Sequence, residues 1–234
     1  MSVYGDLVAR NGLSAAHAAL LAAVPAGARV LDVGCATGYL AAELTARGHE
    51  VVGIEVDPQA AQAARSRGGF EVVTGDAADP GGLAQVDGVF GAILCGDVLE
   101  HLADPERVLR GLRGRLAPGG VLVASLPNAA HWTARREVLR GRFPQADHGI
   151  FDRTHLRFFT RATARDLLRR AGFDIVAETP VAAPLPLEAH IRLPAGWRAA
   201  ATRRRPELFA LQVVFTARAR GGRNVRDPEG DHQT

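Results

Sequence analysis

Apolar positions along this chain fall into short blocks, separated by glycine-rich polar turns and by alanine-rich stretches of helical spacing. Val30, Leu31 and Val33 form the first block, interrupted by one acid, Asp32, and read as a strand buried on both faces. Glu50–Val56, Phe70–Val73, Val89–Cys95 and Val121–Leu126 repeat the pattern, the last introduced by Pro118-Gly119-Gly120 and closed by Pro127-Asn128. Ala15–Val24 reads as an amphipathic helix. Ala162–Ala171 reads as another, broken by Gly172 before a sixth strand, Phe173–Thr179, and a final strand over roughly Leu208–Ala217. Strands alternating with helices predict an α/β domain.

The turn after the first strand narrows the chemistry. A dinucleotide fingerprint places glycine at 34, 36 and 39, whereas this chain has Gly34, Ala36 and Tyr39. Tyrosine in place of the third glycine disfavours close helix packing and the approach of a pyrophosphate. A second strand ending in an acid, Glu55, lies about twenty residues beyond the first glycine, the spacing that sets a carboxylate on a ribose diol. S-adenosylmethionine fits this pattern without a phosphate. Asp32 can meet its ammonium, and the N–H groups of the turn bounded by Gly34 and Gly38 face its carboxylate. The third strand is followed by Asp76 and Ala77, placed to accept from an adenine amine and donate to a ring nitrogen. Asp97 follows the fourth strand. Each polar cluster sits at a strand's C-terminal end, the edge where open α/β sheets bind ligands.

The segments LDVGCATGYLA, VVGIEVD, GDA, GDVLEHLADPERVL, LAPGG and DHGIFDRTHLRFFT together resemble class I S-adenosylmethionine-dependent methyltransferases of the small-molecule type. They are similar to the ubiquinone-biosynthesis-like and methionine-biosynthesis-W-like groups. The resemblance covers roughly residues 28–175. It implies a Rossmann-like, seven-stranded, mostly parallel sheet with helices on both faces and an antiparallel last strand. It also implies that Asp32, Gly34, Ala36 and Gly38 hold the methionine moiety, Glu55 the ribose, and Asp76 with Ala77 the adenine, with Asp97 near cofactor or acceptor. Loss of the Glu55 carboxylate is then expected to weaken cofactor binding without unfolding the chain. Ala36 departs from the glycine of many relatives.

Composition is that of a globular enzyme, with 47% hydrophobic and 23% charged residues. No apolar stretch has the length of a membrane helix, and the first apolar segment lacks the basic flank of a secretion signal, so a cytoplasmic setting is expected. All 28 basic residues are arginine, yet the net charge is only +3, too small to imply nucleic acid, and Arg203-Arg204-Arg205 reads as a solvated surface run. Cys35 and Cys95 read as small packing residues rather than a disulfide.

One domain is expected over residues 1–218. Residues 1–27 form a helical cap carrying Tyr4, residues 129–160 and 180–206 are acceptor-side excursions, and 219–234 are a disordered tail. The Pro-rich 180–206 excursion suits a lid or a homodimer contact. Residues 129–160 leave the ligand edge and should set acceptor chemistry. His131 is the first choice of general base because it sits three residues past the fifth strand, followed by His155 and His148. Each has a structural alternative: His131 as a loop cap, and His155 bonded to a backbone carbonyl. His101 reads as structural. His148, Asp152 and His155 lack a consistent ligand spacing, so no metal is expected. Of Phe151, Phe158 and Phe159, core packing is favoured for Phe158 or Phe159. The leading reading is an O-methyltransferase of a small molecule in secondary or cell-envelope metabolism. N-, C- or carboxyl transfer, a dehydrogenase, and a non-catalytic partner protein are its alternatives.

Overall fold

The computed structural model describes residues 12–183 and 196–221. Seven strands form one sheet: β1 (Val30–Val33), β2 (Val51–Glu55), β3 (Glu71–Thr74), β4 (Phe90–Gly96), β5 (Leu116–Pro127), β6 (Phe173–Ala182) and β7 (Ala210–Ala219). Their order is β3-β2-β1-β4-β5-β7-β6. The first five run parallel, and β7 is antiparallel to both of its neighbours, β5 and β6. The seven-stranded, mostly parallel sheet with an antiparallel last strand stands as expected from the resemblance.

Alternate side chains of each strand supply two separate cores, which is why the strands read as unbroken apolar runs. Leu31, Val33, Ile93, Cys95, Leu122, Ala124 and Leu126 face one way. They pack with Leu83, Leu109, Leu112, Leu167 and Leu168 from the helices Pro80–Ala84, Pro105–Arg113 and Arg161–Arg170. Val30, Ala92, Leu94, Val121, Val123 and Val214 face the other way, under Leu20 and Leu21 of helix Ala15–Ala23 and Leu40 and Leu44 of helix Tyr39–Ala46. Ala60, Ala61 and Ala64 are the buried side chains of helix Pro58–Arg67. Small side chains let this helix lie close to the sheet. Cys35 and Cys95 are both free and buried.

One expectation is revised. Pro118–Gly120 does not precede the fifth strand but lies inside it, with a register irregularity opposite Phe90 and Ala92. Within the leader, Ala15–Ala23 is a helix that covers the sheet. It starts at a capping box between Ser14 and His17, and Leu20 is fully buried against the strands. Phe159 enters the core, while Phe158 turns outward and meets Phe143 edge to face at 5.0 Å. Tyr4 and residues 184–195 of the 180–206 excursion fall outside the described residues, as does the tail from 222.

Candidate active site

β1 and β4 are neighbours whose crossovers leave in opposite directions, β1 toward β2 and β4 toward β5. A cavity of about 420 Å³ opens at this switch point, between Gly34 after β1 and Gly96 and Asp97 at the end of β4. Tyr39 and His101 form further wall, and Asp147, Asp152, Arg153 and Thr154 cover it from the 129–160 excursion. Cofactors of nucleoside size bind at such reversals in open α/β sheets.

Two of the strand-end acids, Glu55 and Asp76, accept from backbone donors. Glu55 Oε2 accepts from the Ala36 N–H at 2.8 Å, and its Oε1 accepts from the Asp57 N–H at 2.9 Å. Ala36 sits at φ +48°, a left-handed conformation that is strained for any residue with a Cβ. Asp32 is buried, and its Oδ2 has no partner among the described residues. Burial, and then repulsion from Glu55, push its carboxyl up to about 7. Asp76 is exposed, and its Oδ1 accepts from the Ala78 N–H at 2.7 Å.

Asp97 is the second strained residue, at φ +55°. Its N–H donates to Ser125 Oγ at 3.0 Å, and Ser125 Oγ donates back to Oδ1 at 2.6 Å. Gln212 Nε2 donates to the same carboxylate oxygen. Asp97 is therefore anchored by β5 and β7 in a conformation it would not otherwise hold.

Of the residues expected to hold cofactor, Gly34, Ala36 and Asp97 line the cavity. Asp32 and Glu55 lie just behind the turn, and Asp76 with Ala77 stand at the neighbouring strand end, outside that lining. Gly38 has another use. At φ +74°, a Cβ there would come within 2.7 Å of Phe70 and 3.0 Å of Ala64, so glycine also permits the close packing of the next helix.

The histidines are the main correction. His131 does not line the cavity. It is buried at the N-cap of helix Trp132–Leu139, where Nδ1 lies 2.7 Å from Thr133 Oγ1, and burial lowers its pKa to about 4. His155 is buried, with Nδ1 3.2 Å from the Ile150 carbonyl, and desolvation lowers its pKa, aided by repulsion from His101. His148 is exposed and lines a smaller cavity of about 170 Å³, together with Asp97, Glu100, Pro127, Ile150 and Gln212. His101, read from sequence as structural, lines the larger cavity and meets His155 edge to face at 4.8 Å. Glu100 completes this group and was not anticipated. The side chains that converge are Glu100, His101 and His155, rather than His148, Asp152 and His155. Asp152 instead braces the loop, its Oδ1 accepting from Thr154 N–H at 2.8 Å and Thr154 Oγ at 2.6 Å.

Residues 8–178 match the methyltransferase-domain family, and the chain belongs to that family. It is 36% identical over 159 residues to a ubiquinone biosynthesis O-methyltransferase of Xanthomonas axonopodis pv. citri, covering 64% of each chain. It is 38% identical over 105 residues to the protein of the same name from Xylella fastidiosa, covering 44% of this chain and 43% of that one. The chain thus spans less than two thirds of the length of these relatives. The fold is shared with a SAM-dependent methyltransferase of Archaeoglobus fulgidus (TM-score 0.66, 18% identity, covering 92% of this chain and 99% of that one). It is shared also with a TehB-like SAM-dependent methyltransferase of Corynebacterium glutamicum (TM-score 0.58, 18% identity, covering 93% and 94%). Among the described residues no helix is long and apolar enough to cross a membrane.

Proposed function

We propose that the protein is a cytoplasmic S-adenosylmethionine-dependent methyltransferase acting on a hydroxyl of a small molecule. The observation that carries this reading is the cavity at the β1/β4 switch point, backed by the turn that Glu55 braces and by a buried carboxyl, Asp32, with an unpartnered oxygen. That oxygen suits the ammonium of the cofactor's amino-acid end, and the Gly34–Gly38 turn suits its carboxylate. Glu55 keeps lone pairs for the ribose, and Asp76 with Ala77 are assigned to the adenine. S-adenosylmethionine, when bound, supplies a methyl already activated on a sulfonium.

The tasks left to the chain are alignment, exclusion of water and custody of one proton. The two cavities share one lining residue, Asp97. The larger is assigned to cofactor and the smaller to acceptor, so the reacting atoms meet beside Asp97. His148, on the acceptor side, is the proton acceptor in this scheme. His131 sits in neither lining and is assigned the cap.

The test is calorimetric titration with S-adenosylmethionine and S-adenosylhomocysteine, with NADH as control, followed by transfer of a labelled methyl to a panel of phenols and alcohols. Saturable binding of the sulfur nucleosides alone, with transfer of label, is the expected result. A folded sample that binds neither overturns the reading.

A further inference from the structure

Glu100, His101 and His155 each bring one atom able to ligate a metal into a cluster whose members lie within 4.8 Å of one another. Glu100 is 1% exposed, and neither of its carboxyl oxygens has a hydrogen-bond partner among the described residues. His155 Nε2 is buried and equally unpaired, 4.0 Å from Glu100 Oε1 and beyond hydrogen-bond reach. Buried polar atoms are as a rule paired, so three unpaired atoms in one cluster mark a place where a partner belongs.

The other ring nitrogens are already engaged. His155 Nδ1 lies 3.2 Å from the Ile150 carbonyl, and His101 Nδ1 lies 3.2 Å from both the carbonyl and Oγ1 of Thr154. A carbonyl oxygen on Nδ1 keeps the hydrogen there and bares the Nε2 lone pair, the tautomer that a metal-binding imidazole needs. The charges nearby also suit a cation. Asp97 and Asp152 are close enough to repel the Glu100 carboxylate. Arg157 lines the same small space as Glu100 and His155, but its guanidinium is turned onto the Ala103 carbonyl, to which Nε donates at 3.0 Å. Against three carboxyls, that one guanidinium leaves two negative charges unbalanced.

The Glu100 oxygens are sealed from water-sized molecules, so an organic ligand does not reach them. A bare ion needs less room. Three atoms no more than 4.8 Å apart share a point within about 2.8 Å of each, and shifts below an ångström bring that to the roughly 2.0–2.2 Å of zinc–nitrogen and zinc–oxygen bonds. His101 is half-buried and forms wall of the larger cavity, which gives the ion its way in. We propose that Glu100, His101 and His155 bind a divalent transition-metal ion of the zinc type, with its open position turned toward the larger cavity. Two imidazoles and a carboxylate suit such an ion, whereas Mg²⁺ prefers a shell of oxygens. The ion ties the turn after β4 to the excursion that covers the cavity, and so fastens that cover whatever the acceptor is.

The test uses the full chain, freed of metal by a chelator and titrated with Zn²⁺ and with Co²⁺. About one ion per chain is expected, and bound Co²⁺ should show the intense visible bands of a four- or five-coordinate site with nitrogen ligands, which Zn²⁺ then bleaches. Glu100→Gln and His101→Ala should each weaken Zn²⁺ at least about tenfold, the loss that even an outer partner of a metal site produces. Zn²⁺ should raise the melting temperature of the wild type and not of either variant. His148→Ala, which removes an exposed imidazole of the neighbouring cavity, should bind Zn²⁺ as the wild type does. A folded chain that takes up no ion overturns the proposal. So does Zn²⁺ affinity unchanged in both variants or lost in His148→Ala, and so does full competition by an equal concentration of Mg²⁺. Where a variant fails to fold, the wild-type Co²⁺ spectrum decides, and the faint bands of a six-coordinate, oxygen-only site sink the assignment. Binding of S-adenosylhomocysteine is measured on the same samples, and its failure strikes the cofactor reading while leaving the ion site standing.

Discussion

Glu55 and Ala36 are joined across the mouth of the sheet: the carboxylate Oε2 at the end of β2 accepts the Ala36 N–H at 2.8 Å. The contact holds a non-glycine residue at φ +48°, so the acid expected to serve a ribose also shapes the turn after β1. Sequence alone separated binding from folding here, and the structure joins them. Glu55→Ala should therefore lower unfolding stability on the order of 2 kcal/mol and S-adenosylhomocysteine affinity by roughly tenfold or more. Glu55→Gln, which keeps one acceptor oxygen, should fall between. Denaturant melts alongside calorimetry check both, and an Ala variant with wild-type stability would separate Glu55 from the turn.

Asp32 gives a pH signature. Its carboxyl is raised to about 7, far above the unfolded value near 4. The folded state therefore binds more protons than the unfolded state between those values, and this group's contribution to stability falls as pH rises from about 4 to about 7. Asp32→Asn should remove that slope, so the variant gains stability relative to wild type at pH 8 but not at pH 4. S-adenosylhomocysteine affinity in the wild type should move the opposite way, strengthening through pH 7 as the carboxylate forms to meet the ammonium. Urea midpoints and titrations at pH 5.5 and 8 read both trends.

His131 acts with the opposite sign. Its folded pKa near 4 lies below the unfolded value, so its contribution is present above about pH 6.5 and lost as pH falls toward 4. As the cap of helix Trp132–Leu139 it should cost about 1 kcal/mol when replaced by alanine. Asn, a good capping residue, should restore most of that, and methyl transfer should track stability in both variants. Loss of turnover in a fully folded His131→Asn protein would return the base role to this residue.

Asn128 ties the end of β5 to the last strand. Its Nδ2 donates to the carbonyls of Ala210 at 2.8 Å and Glu207 at 3.1 Å, and its Oδ1 accepts from the Ala130 N–H at 3.0 Å. The side chain is fully buried, so Asn128→Ala leaves backbone groups without partners and should destabilise by about 2–3 kcal/mol. Asn128→Asp should do no better, since a carboxylate supplies no donor for those carbonyls. Thermal melts of the two variants decide it.

Strands were legible because burial on both faces removes the polar alternation that blurs other sheets. Val30–Val33, Val51–Glu55 and Phe90–Gly96 lie within a residue or two of where the apolar runs place them. Pro118 and Gly119 misled at β5, since their turn chemistry is tolerated in a strand end that β4 supports on one side. The strand-end acids were visible through their spacing. The histidines were not, because nothing in local sequence distinguishes a capping imidazole such as His131 from one that lines a cavity such as His101. Glu100 was hidden for the same reason. One turn of 3-10 helix at Leu99–His101 points it inward, and only the packing of residues 148–156 over it shows that its carboxyl has no partner.

β7 lies between β5 and β6, and β6 touches the sheet through β7 alone. A ribosome that has delivered β6 has therefore made a strand without its sheet partner. Only when residues 210–219 emerge do β5, Asn128 and Gln212's grip on Asp97 all find their partners. Vectorial synthesis, at roughly 5–20 residues per second, thus meets a late checkpoint. The parallel half of the sheet is free to assemble early, while the side bearing Gln212 and Asp97 is completed last, by the strand that also closes the fold.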